Sequence, residues 1–478
     1  MRGNETVPST ARCAGGLTER AVPADDAGGV VARLGPEIRD PGRLLALIVL
    51  VFLLRGAFAI AVVPPWQHPD EPQHLALVHI LARQTRFDLS DRRDVDVERR
   101  IIESMRDHQW WRHYEELAPD PLPASFSEIS EHIAAMATAP PVYYVLGAGL
   151  LRLAEIEEPV AQSYALRWMA LGLAVLTLLC VWAGSRRLFG TWVAVGATLL
   201  LALHPQFVLF STAVNPATLV NLCGSVFWWL GARLLTGGST ISSGIGLVVV
   251  TVIALFTKRA GAPLLVMLVA VPMVAWFLGR HRAWRVTWPA VAATVGCLGL
   301  AGLVAAFRFG DEFNRLGEHW AYALTWSWAE RARDWLFFRR FTAKLLDSAW
   351  LVAGWLRYPA PSEWLMLLRL LTIAAMVGCL VGARRSDLAP WRAGLALGGA
   401  LVMIQTAGVY VGIYMNGYGP QGHYLFPAVG PFMALFWVGI HSWWPRRYWP
   451  AVTVAVTAFL VAFDAVGWAC VIIPAFLG

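Results

Sequence analysis

Apolar runs long enough to cross a bilayer recur along most of this chain, at about 43–63, 140–154, 164–184, 191–211, 214–235, 241–257, 262–279, 287–307, 364–382, 393–414, 422–441 and 449–475. A spanning helix needs about 20 mostly apolar residues, and lipid leaves no partner for an unpaired backbone group. The expected fold is therefore an all-α polytopic integral membrane protein. Composition agrees, with 57% hydrophobic and 15% charged residues over 478 positions, where a soluble protein carries about a quarter charged. A soluble enzyme, a disordered chain and a nucleic-acid-binding domain are excluded. The net charge of +7 does not imply a nucleic-acid partner, because most Arg lies in short loops between apolar runs, as the positive-inside rule requires. Six scattered Cys form no CxxC pair and indicate neither a metal site nor a disulfide framework.

Residues 1–42 are rich in Gly, Pro, Ala and charge and read as a disordered cytoplasmic tail with no cleavable signal peptide. The membrane region divides into a module at 43–307 containing a first outer loop at 64–139, a second outer stretch at 308–363, and C-terminal helices at 364–478. The first loop holds fourteen Asp or Glu against eight Arg, which suits an extracytoplasmic location. Arg186-Arg187, Arg280-His281-Arg282, Arg384-Arg385 and Arg446-Arg447 all face the cytoplasm if the 15 or so residues of 140–154 do not cross. Eleven crossings result, or twelve if they do. Two larger outer loops then carry amphipathic interfacial helices, one or two within 92–116 and one at Trp320–Phe341, with Trp and Arg interspersed. The second stretch reads as a membrane anchor, or as an aromatic wall guiding a lipid chain.

The first span ends in Val63-Pro64-Pro65-Trp66-Gln67-His68-Pro69-Asp70-Glu71-Pro72-Gln73-His74. The prolines forbid helix continuation. The simplest role of Asp70 and Glu71 is to cap a helix beginning at Pro72. The functional alternative is a carboxylate base at the membrane face. His68, Asp70, Glu71 and His74 also offer ligands for a possible divalent cation, though their spacing matches no strong metal signature.

Pro65 to His74, in the pattern P-x-x-x-P-D-E-P-x-H, resembles the opening signature of a bacterial membrane-protein family, domain of unknown function 2142, a relative of the GT-C glycosyltransferases. Further resemblances follow in order: Ala139-Pro140-Pro141-Val142-Tyr143-Tyr144, His204-Pro205-Gln206 with Asn215-Pro216-Ala217-Thr218, Phe256-Thr257-Lys258, and Gln421-Gly422-His423-Tyr424-Leu425-Phe426-Pro427. Ala217 and His423 depart from the family pattern, which often has an acidic residue and an Arg at those places.

The resemblance implies a GT-C-like enzyme of the bacterial cytoplasmic membrane, active on its outer side. It would move a sugar from a polyprenyl-phosphate donor to a glycan or glycolipid acceptor by inverting attack. Asp70 would be the base, with Glu71 as helper, metal ligand or substitute base. Lys258 and Arg259 interrupt an apolar stretch, where charge is costly and commonly functional, or snorkels to the interface. They are the candidate phosphate cations. His74, Asn215, Gln421, His423, Tyr424 and Tyr143 are candidate substrate contacts. Plainer roles compete with these: Asn215 as a helix cap, His423 as a structural histidine, Tyr143 and Tyr144 as interfacial anchors. Rival functions are a transporter or flippase of a lipid-linked saccharide, and a non-catalytic glycan scaffold. A transporter needs polar groups along a path through the membrane, and Gln405 and Asp464 are the notable ones in the late spans.

Overall fold

The computed structural model describes residues 38–84, 93–114, 116–129, 139–237, 240–278, 328–354, 357–416 and 419–477. Helix α1 (Pro41–Val62) opens the membrane region, with Asp40 accepting the Arg43 N–H at 3.2 Å and Pro41 in the first turn, a standard helix start. The first outer loop folds into α2 (Glu71–Arg83), α3 (Val95–Asp107) and a single turn at Phe126–Ile129, and is followed by α4 (Val142–Ala154). Helix α3 buries Val97, Ile101, Ile102 and Met105 on one face and exposes Arg99, Arg100, Glu103 and Arg106, the amphipathic pattern expected there. Helix α4 has 13 residues, about 20 Å of helix against a hydrocarbon core of about 30 Å. It packs on α2.

Next come α5 (Pro159–Phe189), α6 (Thr191–Ala202), α7 (Pro205–Phe210), α8 (Ala217–Leu235), α9 (Thr240–Leu255) and α10 (Pro263–Phe277). Helix α11 (Trp328–Trp350) leads into a small antiparallel pair, β1 (Val352–Ala353) and β2 (Tyr358–Pro359), with Val352 opposite Pro359. The chain ends in α12 (Ser362–Arg384), α13 (Arg392–Asn416), α14 (Val429–Ser442) and α15 (Trp449–Val466), which continues through a π-helical segment, Gly467–Ile472. Among the described residues, eight segments are long and apolar enough to span a membrane, and α6 and most of α9 are shorter apolar helices. The protein is an all-α polytopic membrane protein. The apolar run at 287–307, the seventh of the expected crossings, and the cluster Arg280–Arg282 lie outside the described residues.

Small residues let backbones touch. Gly224 of α8 approaches the 422–428 turn so closely that a Cβ there would lie 1.8 Å from the Pro427 carbonyl oxygen. The basic clusters among the described residues gather at one end of the bundle. Arg187 at the end of α5 donates to Thr236 beyond α8 at 3.1 Å, and Arg385 beyond α12 donates to the Ser442 and Trp444 carbonyls beside the end of α14 at 2.9 Å.

The structure bears on three further expectations. Tyr143 and Tyr144 are not interfacial anchors: both are fully buried, because α4 lies between α2 and the turn after α9. The helix expected on the membrane surface at Trp320–Phe341 is described only toward its end, where Phe338, Arg339 and Arg340 are exposed. Phe341 and Leu345 are buried with Val409 and Ile413 of α13, and Trp350 is stacked on His204 at 4.8 Å. The residues 308–327 of that stretch lie outside the described residues, as does Trp355. Finally, the polar groups singled out in the late spans are engaged structurally. Asp464 pairs with Arg55 of α1, which also donates to the Ala202 carbonyl. Gln405 donates to the Tyr424 and Ala260 carbonyls at 2.8 and 3.3 Å.

Candidate active site

The prolines after α1 turn the chain sharply, and two non-glycine residues of that turn, Trp66 (φ +71°) and Asp70 (φ +62°), take the left-handed conformation. Asp tolerates this better than most residues, being short and polar. Asp70 precedes the first residue of α2, yet its side chain makes no capping bond. Its carboxylate stays partly accessible and lies close enough to Lys258 to favour that residue's charge. Glu71 behaves differently. Its side chain is completely buried, as is that of Arg167 in α5. Arg167 donates from Nε to Glu71 Oε1 at 2.8 Å and from Nη2 to Oε2 at 2.7 Å. The Trp66 N–H adds a bond to Oε2 at 3.0 Å. Burial alone would push this carboxyl up, but Arg167, its hydrogen bonds and the Trp66 N–H together hold it below the ordinary value. Glu71 is therefore an ion-paired carboxylate, poorly suited to accept a proton.

Lys258 follows the end of α9, where Leu255 gives way to a turn and then a short 3₁₀ segment, Arg259–Gly261. The Phe256 carbonyl in that turn accepts the Val142 N–H at 3.1 Å, which docks the start of α4 here. Lys258 Nζ donates to Asn215 Oδ1 at 3.0 Å and sits 5.7 Å from the centroid of the Tyr424 ring. Burial draws its ammonium down to about 8, against the opposing pull of Asp70. Asn215 also takes the capping role expected of it, since the same Oδ1 accepts the Ala217 N–H at 2.9 Å at the start of α8.

Two histidines border this ammonium. His74 Nδ1 pairs with the Tyr144 hydroxyl at 2.9 Å. Burial, then the Lys258 charge, holds the ring well below its ordinary value and so neutral. His423 stacks on Phe210 with centroids 4.1 Å apart and also feels the Lys258 charge. His74 Nε2 and His423 Nδ1 are buried and have no hydrogen-bond partner among the described residues. Tyr143 places its buried hydroxyl beside the Asn215 backbone.

Other expected residues stand back from this group. Arg259 is exposed on the turn after Lys258. Gln421 contributes through its backbone, its carbonyl accepting the Tyr424 N–H at 3.1 Å. His68 is buried near Arg167, and burial followed by that charge takes it down to about 3. Among the described residues no three His, Cys, Asp or Glu side chains converge on a cation position. The four candidate ligands His68, Asp70, Glu71 and His74 do not gather as a set. Arg167 was not singled out from the sequence, although an Arg within the otherwise apolar run 164–184 was the signal to find it.

Residues 139–304 match the protein family described as dolichyl-phosphate-mannose-protein mannosyltransferase. No curated protein matches the sequence. Among solved structures the chain is similar to an Archaeoglobus fulgidus oligosaccharyltransferase tethered to an acceptor peptide, with 13% identity over 90% of this chain and 54% of that one, at a TM-score of 0.40. It is also similar to the oligosaccharyltransferase AglB of the same organism, in complex with an inhibitory peptide and a dolichol-phosphate. There the identity is 12%, over 88% of this chain and 56% of that one, at a TM-score of 0.46. The chain thus spans about half the length of these solved proteins.

Proposed function

We propose that this protein is a GT-C-like membrane glycosyltransferase that moves a sugar from a polyprenyl-phosphate carrier to an acceptor hydroxyl on the outer side of a bacterial cytoplasmic membrane. The observation that carries this is convergence. Asp70, His74, Asn215, Lys258, His423 and Tyr424 come from four separate stretches of chain and meet around one ammonium group. The match of residues 139–304 to a dolichyl-phosphate-mannose-dependent family supports the class of donor, and the ordered motifs resembling domain of unknown function 2142 extend it across the membrane region. The basic clusters support an outer location, since Arg186 is about 28 Å along α5 from Arg167, whose guanidinium holds Glu71.

In this mechanism Asp70 accepts the proton of the acceptor hydroxyl. The acceptor oxygen attacks the anomeric carbon with inversion, the bond from that carbon to the phosphate oxygen breaks, and polyprenyl phosphate departs as an anion. Lys258 stabilises the departing charge, and phosphate needs no proton to leave. With the Tyr144 hydroxyl donating to His74 Nδ1, the His74 proton resides on Nε2 and is available to a phosphate oxygen. Glu71 takes no proton in this scheme. The engagement of Gln405 and Asp464 by protein partners argues against the transporter.

The test is complementation of cells lacking this protein with the parental chain or with Asp70→Asn, a residue that tolerates the left-handed conformation. Mass spectrometry of lipid-linked saccharides and envelope glycans should show one sugar restored only by the parental chain, with its polyprenyl-phosphate form accumulating in the variant. Full restoration by Asp70→Asn would remove the carboxylate from the chemistry.

A further inference from the structure

We propose that Arg167 is a positioning residue for Asp70, and that the buried Arg167–Glu71 pair exists to hold the catalytic turn shut. This rests on the assignment of Asp70 as base. The guanidinium reaches both ends of the turn at once. Its Nη1 donates to the Val63 carbonyl at 2.6 Å and its Nη2 to the Pro64 carbonyl at 2.8 Å, where α1 has ended. Its remaining bonds go to the Glu71 carboxylate, the first residue of α2. Asp70 is the residue immediately before that anchor, and its φ of +62° is one that an L residue keeps only when its surroundings insist.

Inside the turn the bonding is sparse. Gln67 N–H reaches the Pro64 carbonyl at 3.4 Å and Glu71 N–H the His68 carbonyl at 3.3 Å, both long. Prolines 64, 65 and 69 supply no N–H at all. The short bonds that tie the turn's two flanks together are those of Arg167 and the Trp66 N–H to Glu71. A lysine could not replace this arrangement, because a single ammonium cannot present a planar fork to a carboxylate while also serving two carbonyls. Arg167 belongs to α5, a 31-residue helix rooted at the far end of the bundle, so the Asp70 turn is referenced to the membrane core rather than to the loop around it.

Two roles for the pair are separable. If it serves only to neutralise buried charge, replacing both members together should cost little, as buried ion pairs often allow. If it positions Asp70, the same double replacement should restore folding and leave the reaction impaired, because the bonds to Val63 and Pro64 are gone. The experiment uses the full chain in nanodiscs, as parental protein, Arg167→Met, Glu71→Gln/Arg167→Met and Asp70→Asn. Undecaprenyl-phosphate-linked hexoses and pentoses serve as donors and envelope glycan extracted from cells lacking this protein as acceptor, with release of undecaprenyl phosphate and sugar transfer followed by mass spectrometry. Hydrogen–deuterium exchange of the peptide covering 64–74 is recorded in parallel.

The double variant is expected to regain most of the thermal stability lost in Arg167→Met. Its KM for donor should stay within about three-fold of parental, while kcat falls by about a hundred-fold or more, with faster exchange confined to 64–74. Parental kcat and parental exchange in the double variant would overturn the positioning role while leaving Asp70 as base, provided Asp70→Asn is inactive. An active Asp70→Asn, or a parental chain that turns over none of these donors, would overturn the base assignment and this inference together.

Discussion

Lys258 Nζ lies 3.0 Å from Asn215 Oδ1, so the ammonium after α9 is held by the same amide oxygen that caps the start of α8. One side-chain atom thereby ties a helix start to the candidate phosphate cation. Lys258 is aimed by secondary structure rather than by a flexible loop, which is the condition for electrostatic stabilisation without reorganisation.

The first prediction concerns that cation. Lys258→Met should weaken binding of undecaprenyl phosphate by roughly 10- to 100-fold, the range for a charge-assisted hydrogen bond of about 1.5–3 kcal/mol. Arg259→Met, on the exposed neighbour, should cost far less. Equilibrium binding to both variants in detergent checks it, and equal losses would mean the two cations share the phosphate.

The pH dependence follows from burial. Lys258 is drawn down to about 8, so below that pH it is charged whether or not phosphate is bound. Above it, the empty site has lost its proton and an anion must recover it. Affinity for undecaprenyl phosphate should therefore be flat between about pH 7 and 8 and fall by up to ten-fold per unit above it. The phosphate's own second ionisation, near pH 6, is complete by then and does not imitate the effect. Constant affinity through about pH 9.5 would place the anion away from Lys258.

A third prediction lies inside the bundle. Arg55 and Asp464 are paired with only 13% and 15% of their side-chain surfaces exposed. Removing one partner leaves an uncompensated buried charge, so Arg55→Met or Asp464→Leu alone should destabilise by about 3–5 kcal/mol, whereas the double replacement should be close to neutral. Thermal unfolding of the three purified variants checks it. Additive losses would show that the two side chains act independently.

The fourth concerns a backbone contact. A methyl group at Gly224 would overlap the Pro427 carbonyl at 1.8 Å, and backbone yields less readily than a side chain. Gly224→Ala should destabilise by about 1–3 kcal/mol and also weaken undecaprenyl phosphate binding, since the displaced turn carries His423 and Tyr424. Ser225→Ala, one residue along α8, should leave binding unchanged and serves as the control.

The length and spacing of the apolar runs determined the membrane class, and the shortness of 140–154 was carried through into α4, a helix of 13 residues. Pro64, Pro65, Pro69 and Pro72 determined where α1 stops and α2 starts, because a missing N–H and a fixed φ act on the chain locally. The prominence of Asp70 and Lys258 was also legible, as a charge beside an apolar run stands out wherever it falls. Partners were not. Arg167 and Glu71 are 96 residues apart, and Lys258 and Asn215 are 43 apart. Periodicity and composition describe each helix alone, and nothing in them states which faces will meet. Glu71 looked like a second base until packing put Arg167 against it, and the two tyrosines looked like anchors until α4 folded beneath α2. Tertiary structure decided these roles because the environment that sets a carboxylate's proton affinity, or makes a ring interior rather than interfacial, is built by residues distant in the chain.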